Sequence, residues 1–251
     1  MSEAILLILD EVDSTNTYGK NNFGQLPDGS LVAAVTQTAG RGRLGRKWLT
    51  PPGTALTASA ILKNVEQPFH AGCILALAAL EMLRETLPEQ TKMFFKWPND
   101  IYIGCCKLAG ILSEGVISRG KVAGVVCGIG ININQNRQML DEIPNPATSA
   151  AFVSGKTFDI NLLYKKLFAA VTRHYADYQR DPAATVALWK KENRLVGQFF
   201  EVITPDGIPH AGYFRYISDD GAMFMETEGK LYRFDCGDVK IDTGTIDFDA
   251  L

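Results

Sequence analysis

The chain has little of what marks an exported, metal-bound or membrane-bound protein. Its five cysteines are odd in number and form no CxxC pair, which argues against a disulfide framework or a zinc site and for a reducing compartment, the cytoplasm. The three histidines, His70, His174 and His210, are too scattered for an HExxH pattern. The longest apolar stretch, around Ala71 to Leu80, is half the ~20 residues that a membrane-spanning helix needs. The opening "MSEAILLILDE" has an apolar run only from Ala4 to Leu9 with no basic region before it, a poor signal peptide. Excess positive charge is also lacking. With 25 Lys and Arg against 28 Asp and Glu, the net charge is −3, so general adhesion to nucleic acid or anionic membrane is not expected. Any anion site must be local. What is present, 46% apolar and 21% charged residues, is ordinary for a globular protein with one large core, or a main domain plus a small satellite.

Against that mildly acidic background stands "TAGRGRLGRKW", Thr38 to Trp48, with Arg41, Arg43, Arg46 and Lys47 set among Gly40, Gly42 and Gly45. The glycines match G-x-G-x-x-G literally, but the dinucleotide fingerprint needs the third glycine to open a helix. Pro51-Pro52-Gly53 follows instead, and no helix continues through it. A P-loop fails on the same ground, with Arg46 where it needs a lysine and Lys47 where it needs a hydroxyl. An Arg-Gly arm for nucleic acid is weakened by the acidic chain, and a merely solvated basic loop is the bland alternative. Glycine between arginines favours close approach of backbone N–H groups to an anion, with guanidinium forks beside them. The loop is therefore expected to be a mobile cradle for a phosphate or carboxylate.

Around the loop, "AILLIL" and "SLVAAVTQ" read as buried strands, "DSTNTYGKNNF" as a short helix with Ser and Thr placed to cap it, and "GTALTASAIL" as an alternating third strand. Pro68 opens a largely buried helix with apolar residues at Ile74, Leu77, Leu80, Leu83 and Leu87. "KMFFKWPNDIYI" predicts strand, turn, strand, with Pro98, Asn99 and Asp100 as the turn. A tight "GCC" corner leads into the extended "KLAGILSEGVI" and "KVAGVVCGIGININ". Helices over Leu162 to Gln179 and from Pro182 to about Asn193 come next. After Leu195, short strands joined by Pro-Asp-Gly, Asp-Gly and Glu-Gly turns predict a small β-barrel or meander.

Five segments occur in order: "DSTN", "QTAGRGRLGRKW", "KWPND", "KLAGIL" and "GIGININ". This series closely resembles the biotin protein ligases, over roughly Asp10 to Asn134. The resemblance implies an α/β fold: a class II synthetase-like catalytic domain (residues 1–193) on a mixed, largely antiparallel sheet, then a small SH3-like β-barrel (residues 194–251). It implies activation of biotin by ATP with Mg2+ to biotinyl-5′-AMP, then transfer to a lysine of a biotin carboxyl carrier protein domain. That carrier belongs to acetyl-CoA carboxylase or another biotin-dependent carboxylase. By motif position, biotin is expected to meet Ser14, Thr15, Asn16, Gln37, Arg41, Gly42, Arg43, Lys107 and Gly110. ATP is expected to meet Arg43, Arg46, Trp48, Asn99, Asp100 and Asn132, with Asp100 toward magnesium and Lys96 in support. Lys107 and Arg43 carry the catalytic role, Lys107 as a fixed cation where two anions meet. Gly110 and Gly130 are expected to permit close packing beneath the ligand. Because "DSTN" begins at Asp13, no DNA-binding module and no repressor activity are expected. No membrane partner is expected, and an exposed strand edge is compatible with either a homodimer or docking of the carrier domain. The alternatives are a lipoate–protein ligase, and outside enzymes a non-catalytic nucleotide- or nucleic-acid-binding module.

Overall fold

The computed structural model describes residues 3–48 and 51–240. In chain order its elements are β1 (Leu6–Val12), α1 (Thr15–Asn21), β2 (Leu31–Gln37), β3 (Ala55–Leu62), α2 (Pro68–Arg84), β4 (Met93–Lys96), β5 (Asp100–Ile103), β6 (Cys106–Ser118) and β7 (Lys121–Asn132). There follow α3 (Arg137–Asp141), α4 (Ala150–Ser154), α5 (Ile160–Arg180), α6 (Pro182–Glu192) and strands β8 (Phe199–Ile203), β9 (Pro209–Ile217), β10 (Met223–Thr227), β11 (Lys230–Phe234) and β12 (Asp238–Lys240). A single 3-10 turn, Arg43–Gly45, interrupts the basic loop.

The first seven strands form one sheet in the order β1-β2-β3-β7-β6-β5-β4. Only β1 and β2 run parallel, so the sheet is mixed and largely antiparallel, as expected. β3 differs from its alternating expectation: all eight of its residues are buried. The reason is that α1 packs on it from one side and α5 from the other, so neither face meets water. The turn after β4 also sits one residue earlier than the sequence suggests. Trp97, Pro98 and Asn99 make it, with a cis Trp97–Pro98 peptide, while Asp100 is already in β5, paired with Lys96 and Gly110.

Helix α2 is apolar nearly all round and is buried against β6 and β7 on one side and α5 and α6 on the other. Helix α5 instead carries one apolar stripe, Leu163, Tyr164, Leu167, Ala170, Val171, Tyr175 and Tyr178, the spacing of a helix that covers a core with one face. Asp159 caps it, accepting from the amides of Asn161 and Leu162. Pro182 takes the first turn of α6 behind the Asp181 cap. Helices α3 and α4, five residues each, lie in a stretch whose polarity and prolines mask them in the sequence.

Where a small barrel is expected, β8–β12 form a five-stranded antiparallel sheet in the order β11-β10-β9-β8-β12. Residues 241–251 of that expected domain lie outside the described residues. The inner side chains of the small sheet, among them Phe200, Phe214, Met223 and Met225, join the same apolar core as α2 and Trp189. Polar ties add to this: Trp97 Nε1 donates to the Gly221 carbonyl at 2.8 Å, and Lys190 pairs with Asp219 at 2.5 Å. The 97–99 turn and the basic loop thus sit at the seam of the two sheets. Among the described residues, no helix is long and apolar enough to cross a membrane.

Candidate active site

Strands β6 and β7 pair with Gly110 opposite Gly130 and Leu112 opposite Gly128. Side chains alternate across a sheet, so Cys127, Ile129 and Ile131 point into the core while Gly128, Gly130 and Asn132 face a cleft of about 870 Å³. The glycines leave a floor without side chains, and the protein's own groups lie on it. A methyl carbon on Gly128 would collide with the amide of Asn16, one on Gly130 with the indole of Trp48, and one on Gly110 with Lys107 Nζ. Close packing over Gly110 and Gly130 is therefore what the structure has, and the first groups packed there are Lys107 and Trp48.

At the Gly128 end the walls are neutral and polar. Ser14 occupies the N-cap position of α1, but its side chain makes no capping bond. The Thr15 amide and hydroxyl donate instead to Gln37 Oε1 at 2.8 and 3.2 Å. Behind them Ser59, fully buried on β3, donates its hydroxyl proton to Asn16 Oδ1 at 2.6 Å and lies 2.7 Å from Thr15 Oγ1. Asn16 Nδ2 in turn reaches Glu114 at 2.8 Å and the Leu112 carbonyl at 3.0 Å. Sequence reading missed Ser59 and Glu114, because a serine in an apolar strand and an acid near a strand end carry no local mark.

Glu114 gathers three donors: Asn16, Lys20 Nζ at 2.6 Å and Arg41 at 2.8 Å. Burial alone would raise its carboxyl, but the hydrogen bonds from Lys20 and Asn16 and the charge of Arg41 hold it below the usual carboxylate value. Arg41 is one of three anchors of the basic loop. Arg43 donates to Asn99 Oδ1 at 3.1 Å, and Arg46 pairs with Asp238 of β12. The loop itself is a small hairpin. Arg41 and Lys47 are bridged, the Gly42 amide donates to the Arg46 carbonyl at 2.7 Å, and the Trp48 amide to the Gly40 carbonyl at 2.9 Å. Its turn needs left-handed backbone at Gly45, φ 73°, where glycine is the unstrained residue. The loop is an arm whose Arg41, Arg43 and Arg46 guanidinium groups are each held by a different element.

Burial lowers the Arg43 guanidinium from its ordinary value, opposed by the charges of Asp238 and Asp100, while the hydrogen bond to Asp238 raises that of Arg46. Lys107 Nζ forms an ion pair with Asp100 Oδ1 at 2.7 Å. The Lys107 ammonium also sits over the Trp48 ring at 5.8 Å. Its backbone is fixed on both sides: the amide donates to the Pro146 carbonyl and the carbonyl accepts from Thr148, each at 2.9 Å. Lys96, beside Asp100, donates to the Tyr102 hydroxyl at 3.2 Å, and burial lowers its ammonium.

Past Gly130 the cleft ends on amides. Asn132 Nδ2 donates to the Thr148 carbonyl at 3.0 Å, and Gln135 Nε2 donates to Asn132 Oδ1 at 3.0 Å. Gln135 was not visible to sequence reading, since it follows the strand in a loop. All the residues expected around the ligand line this one cleft: Ser14, Thr15, Asn16, Gln37, Arg41, Gly42, Arg43, Arg46, Trp48, Asn99, Asp100, Lys107, Gly110 and Asn132. A smaller cavity of about 380 Å³ adjoins it at Arg43, Asn99 and Asp100, toward α2 and the small sheet. Among the described residues no three His, Cys, Asp or Glu side chains converge as a metal cage.

Residues 8–132 match the Biotin/lipoate A/B protein ligase family. A bifunctional ligase/repressor BirA of Salmonella typhimurium is 30% identical over 238 residues, covering 93% of this chain and 73% of that protein. A biotin--[acetyl-CoA-carboxylase] ligase of Mycobacterium tuberculosis is 30% identical over 219 residues, covering 84% of this chain and 79% of its own length. A solved biotin protein ligase from Aquifex aeolicus, in complex with biotin and ATP, superposes with a TM-score of 0.77 at 28% identity, over 94% of this chain and 97% of that one.

Proposed function

This chain belongs to the biotin/lipoate A/B protein ligase family, and from that premise we propose that it is an ATP-dependent biotin protein ligase that forms biotinyl-5′-AMP and biotinylates a carrier-domain lysine. One observation supports this reading above the rest. Gly128, Gly130 and Asn132 set three stations along one strand face: a neutral polar pocket, a cationic station and an amide-lined end. At ~3.3 Å per residue these span roughly 13 Å, a string of sites for a neutral head group, a reacting anion pair and a nucleotide base.

In this reading Ser14, Thr15, Asn16 and Gln37 bind the ureido head, and Asn132, Trp48 and Arg46 serve the nucleotide. Lys107 and Arg43 stand where the biotin carboxylate and the α-phosphate meet. The carboxylate oxygen attacks phosphorus and pyrophosphate leaves. Two anions must approach and charge builds on the phosphoryl oxygens, so cations already fixed in place lower that barrier without reorganising. The carrier lysine's neutral amine then attacks the acyl carbon and AMP leaves. The hairpin Arg41–Lys47 covers the mixed anhydride meanwhile, since an acyl adenylate open to water hydrolyses.

Magnesium characteristically takes one or two carboxylates and completes its shell with phosphates and water. Asp100, a carboxylate lining the cleft beside Lys107, is of the donor type that would serve this role. When bound, the ion neutralises phosphate charge. Residues 112–118 of β6 have no strand partner on the side away from β7 among the described residues, and this open edge is where the carrier domain would dock. Division into a catalytic unit, residues 1–193, and a small β unit, residues 194–251, and location in the cytoplasm belong to the same proposal.

Incubation with ATP, magnesium and either biotin or lipoate tests the function. Pyrophosphate release with biotin alone is the expected result. Release with lipoate alone would overturn the biotin assignment, and release with neither would overturn the enzyme.

A further inference from the structure

The amide-lined end of the cleft has an orientation that can be worked out from one group. The Thr148 carbonyl is only an acceptor, so the Asn132 atom 3.0 Å from it must be Nδ2. That turns Asn132 Oδ1 toward Gln135, so the Gln135 atom 3.0 Å away must be Nε2. Reversing either amide sets acceptor against acceptor or donor against donor. Ser149 Oγ, donating to the Gln135 carbonyl at 2.7 Å, holds the backbone in place. One amide atom is left over. Gln135 Oε1 is buried and has no hydrogen-bond partner among the described residues, on a residue 2% exposed that lines the cleft. A buried acceptor without a donor is costly, and a ligand that brings the donor relieves it.

We propose that Gln135 selects the nucleotide base: its Oε1 accepts from the 6-amino group of adenine, while its Nε2 holds Asn132 against the same edge of the ring. This rests on reading the cleft as the site of adenylation. A 6-aminopurine supplies the missing donor. A 6-oxopurine sets its own carbonyl oxygen against Oε1 and is rejected, since a site built for a donor leaves its polar group unpaired with the wrong ligand. Gln135 is thus a specificity residue that touches the base, and through Asn132 a positioning one.

Two variants test this by biotin-dependent pyrophosphate release with ATP or GTP. Gln135→Met removes both the free acceptor and the bond to Asn132. The ATP KM should rise roughly tenfold and the ATP-over-GTP ratio of kcat/KM fall by about the same factor, with the biotin KM within about twofold of wild type. Gln135→Glu keeps the shape but cannot donate to Asn132 while ionised. Its ATP KM should be raised at about pH 8 and return toward wild type at about pH 6, as a carboxyl raised by burial takes up a proton and donates again. A Gln135→Met enzyme with wild-type ATP KM and base ratio would overturn the proposal, as would equal losses toward ATP and biotin. A Gln135→Glu profile parallel to wild type would do the same. An active wild-type enzyme with unaltered variants sinks the base assignment alone. A wild type that releases no pyrophosphate with ATP and biotin sinks the ligase reading, and this inference with it.

Discussion

Lys107→Met separates catalysis from folding at the centre of the cleft. In the structure the Lys107 side chain is 28% exposed, and its ammonium lies 2.7 Å from Oδ1 of Asp100, whose side chain is 15% exposed. A unit charge about 4 Å from a developing phosphoryl charge is worth roughly 4 kcal/mol at an effective dielectric of about 20. Measured losses on removing one such preorganised stabiliser run at about 10²–10³ in kcat, so adenylation should fall by that much. Stability should fall far less. Partly exposed ion pairs contribute about 0–1 kcal/mol, and Asp100 retains the nearby charge of Arg43. The melting temperature should therefore drop by roughly 2–4 °C at most. Lys107→Met combined with Asp100→Asn removes the carboxylate left without its cation, so the melting temperature should recover while turnover stays low. Single-turnover pyrophosphate release and thermal unfolding read the two effects separately. Turnover of Lys107→Met within about tenfold of wild type, or recovery of turnover in the double variant, would refute the reasoning.

Glu114→Gln should lower the melting temperature by an amount that depends on pH. The Glu114 carboxyl is held below its ordinary value, so its contribution is complete above the unfolded value of about 4.3 and is lost as pH falls through the lowered folded value. The gap between wild type and variant should be flat near neutrality and close in acid; a gap that widens in acid would contradict the Lys20–Asn16–Arg41 clamp. Gly130→Ala places a carbon where the Trp48 indole lies. Overpacking of this kind costs about 1–3 kcal/mol, and displacement of Trp48 should show as altered tryptophan emission with slowed adenylation. Unchanged emission and rate would mean that Trp48 does not seal the floor.

The sheet and the long helices were legible because their signals are local, and the members of the cleft through the five ordered segments that carry the family resemblance. Pro68 and Pro182 open helices, α5 carries its stripe, and the basic loop breaks where Pro51 forbids a helix. The partners of the site were not, because they come from far along the chain. Glu114 meets Asn16 and Lys20 across 98 and 94 residues, and Arg46 meets Asp238 across 192. Nothing in the alternation of "LSEGVI" separates Glu114 from a solvated acid. Close packing at Gly110 and Gly130 was expected from the resemblance, but only the stacked geometry shows Lys107 and Trp48 lying on them, and Asn16 on Gly128. The anchoring of the loop was equally hidden, since glycines between arginines suit an open cradle and a pinned hairpin alike. Gln135 became informative only once the Thr148 carbonyl fixed the amides beside it.

The most direct test of the account is to mix the enzyme with magnesium, biotin and ATP labelled in the α-phosphate, without carrier, and to identify the bound product by mass spectrometry. The account predicts close to one biotinyl-5′-AMP per chain, discharged as AMP when a biotin carboxyl carrier domain is added and that domain gains biotin on lysine. Release of ADP and phosphate, or the absence of any biotin-dependent adenylate on folded protein, would contradict it.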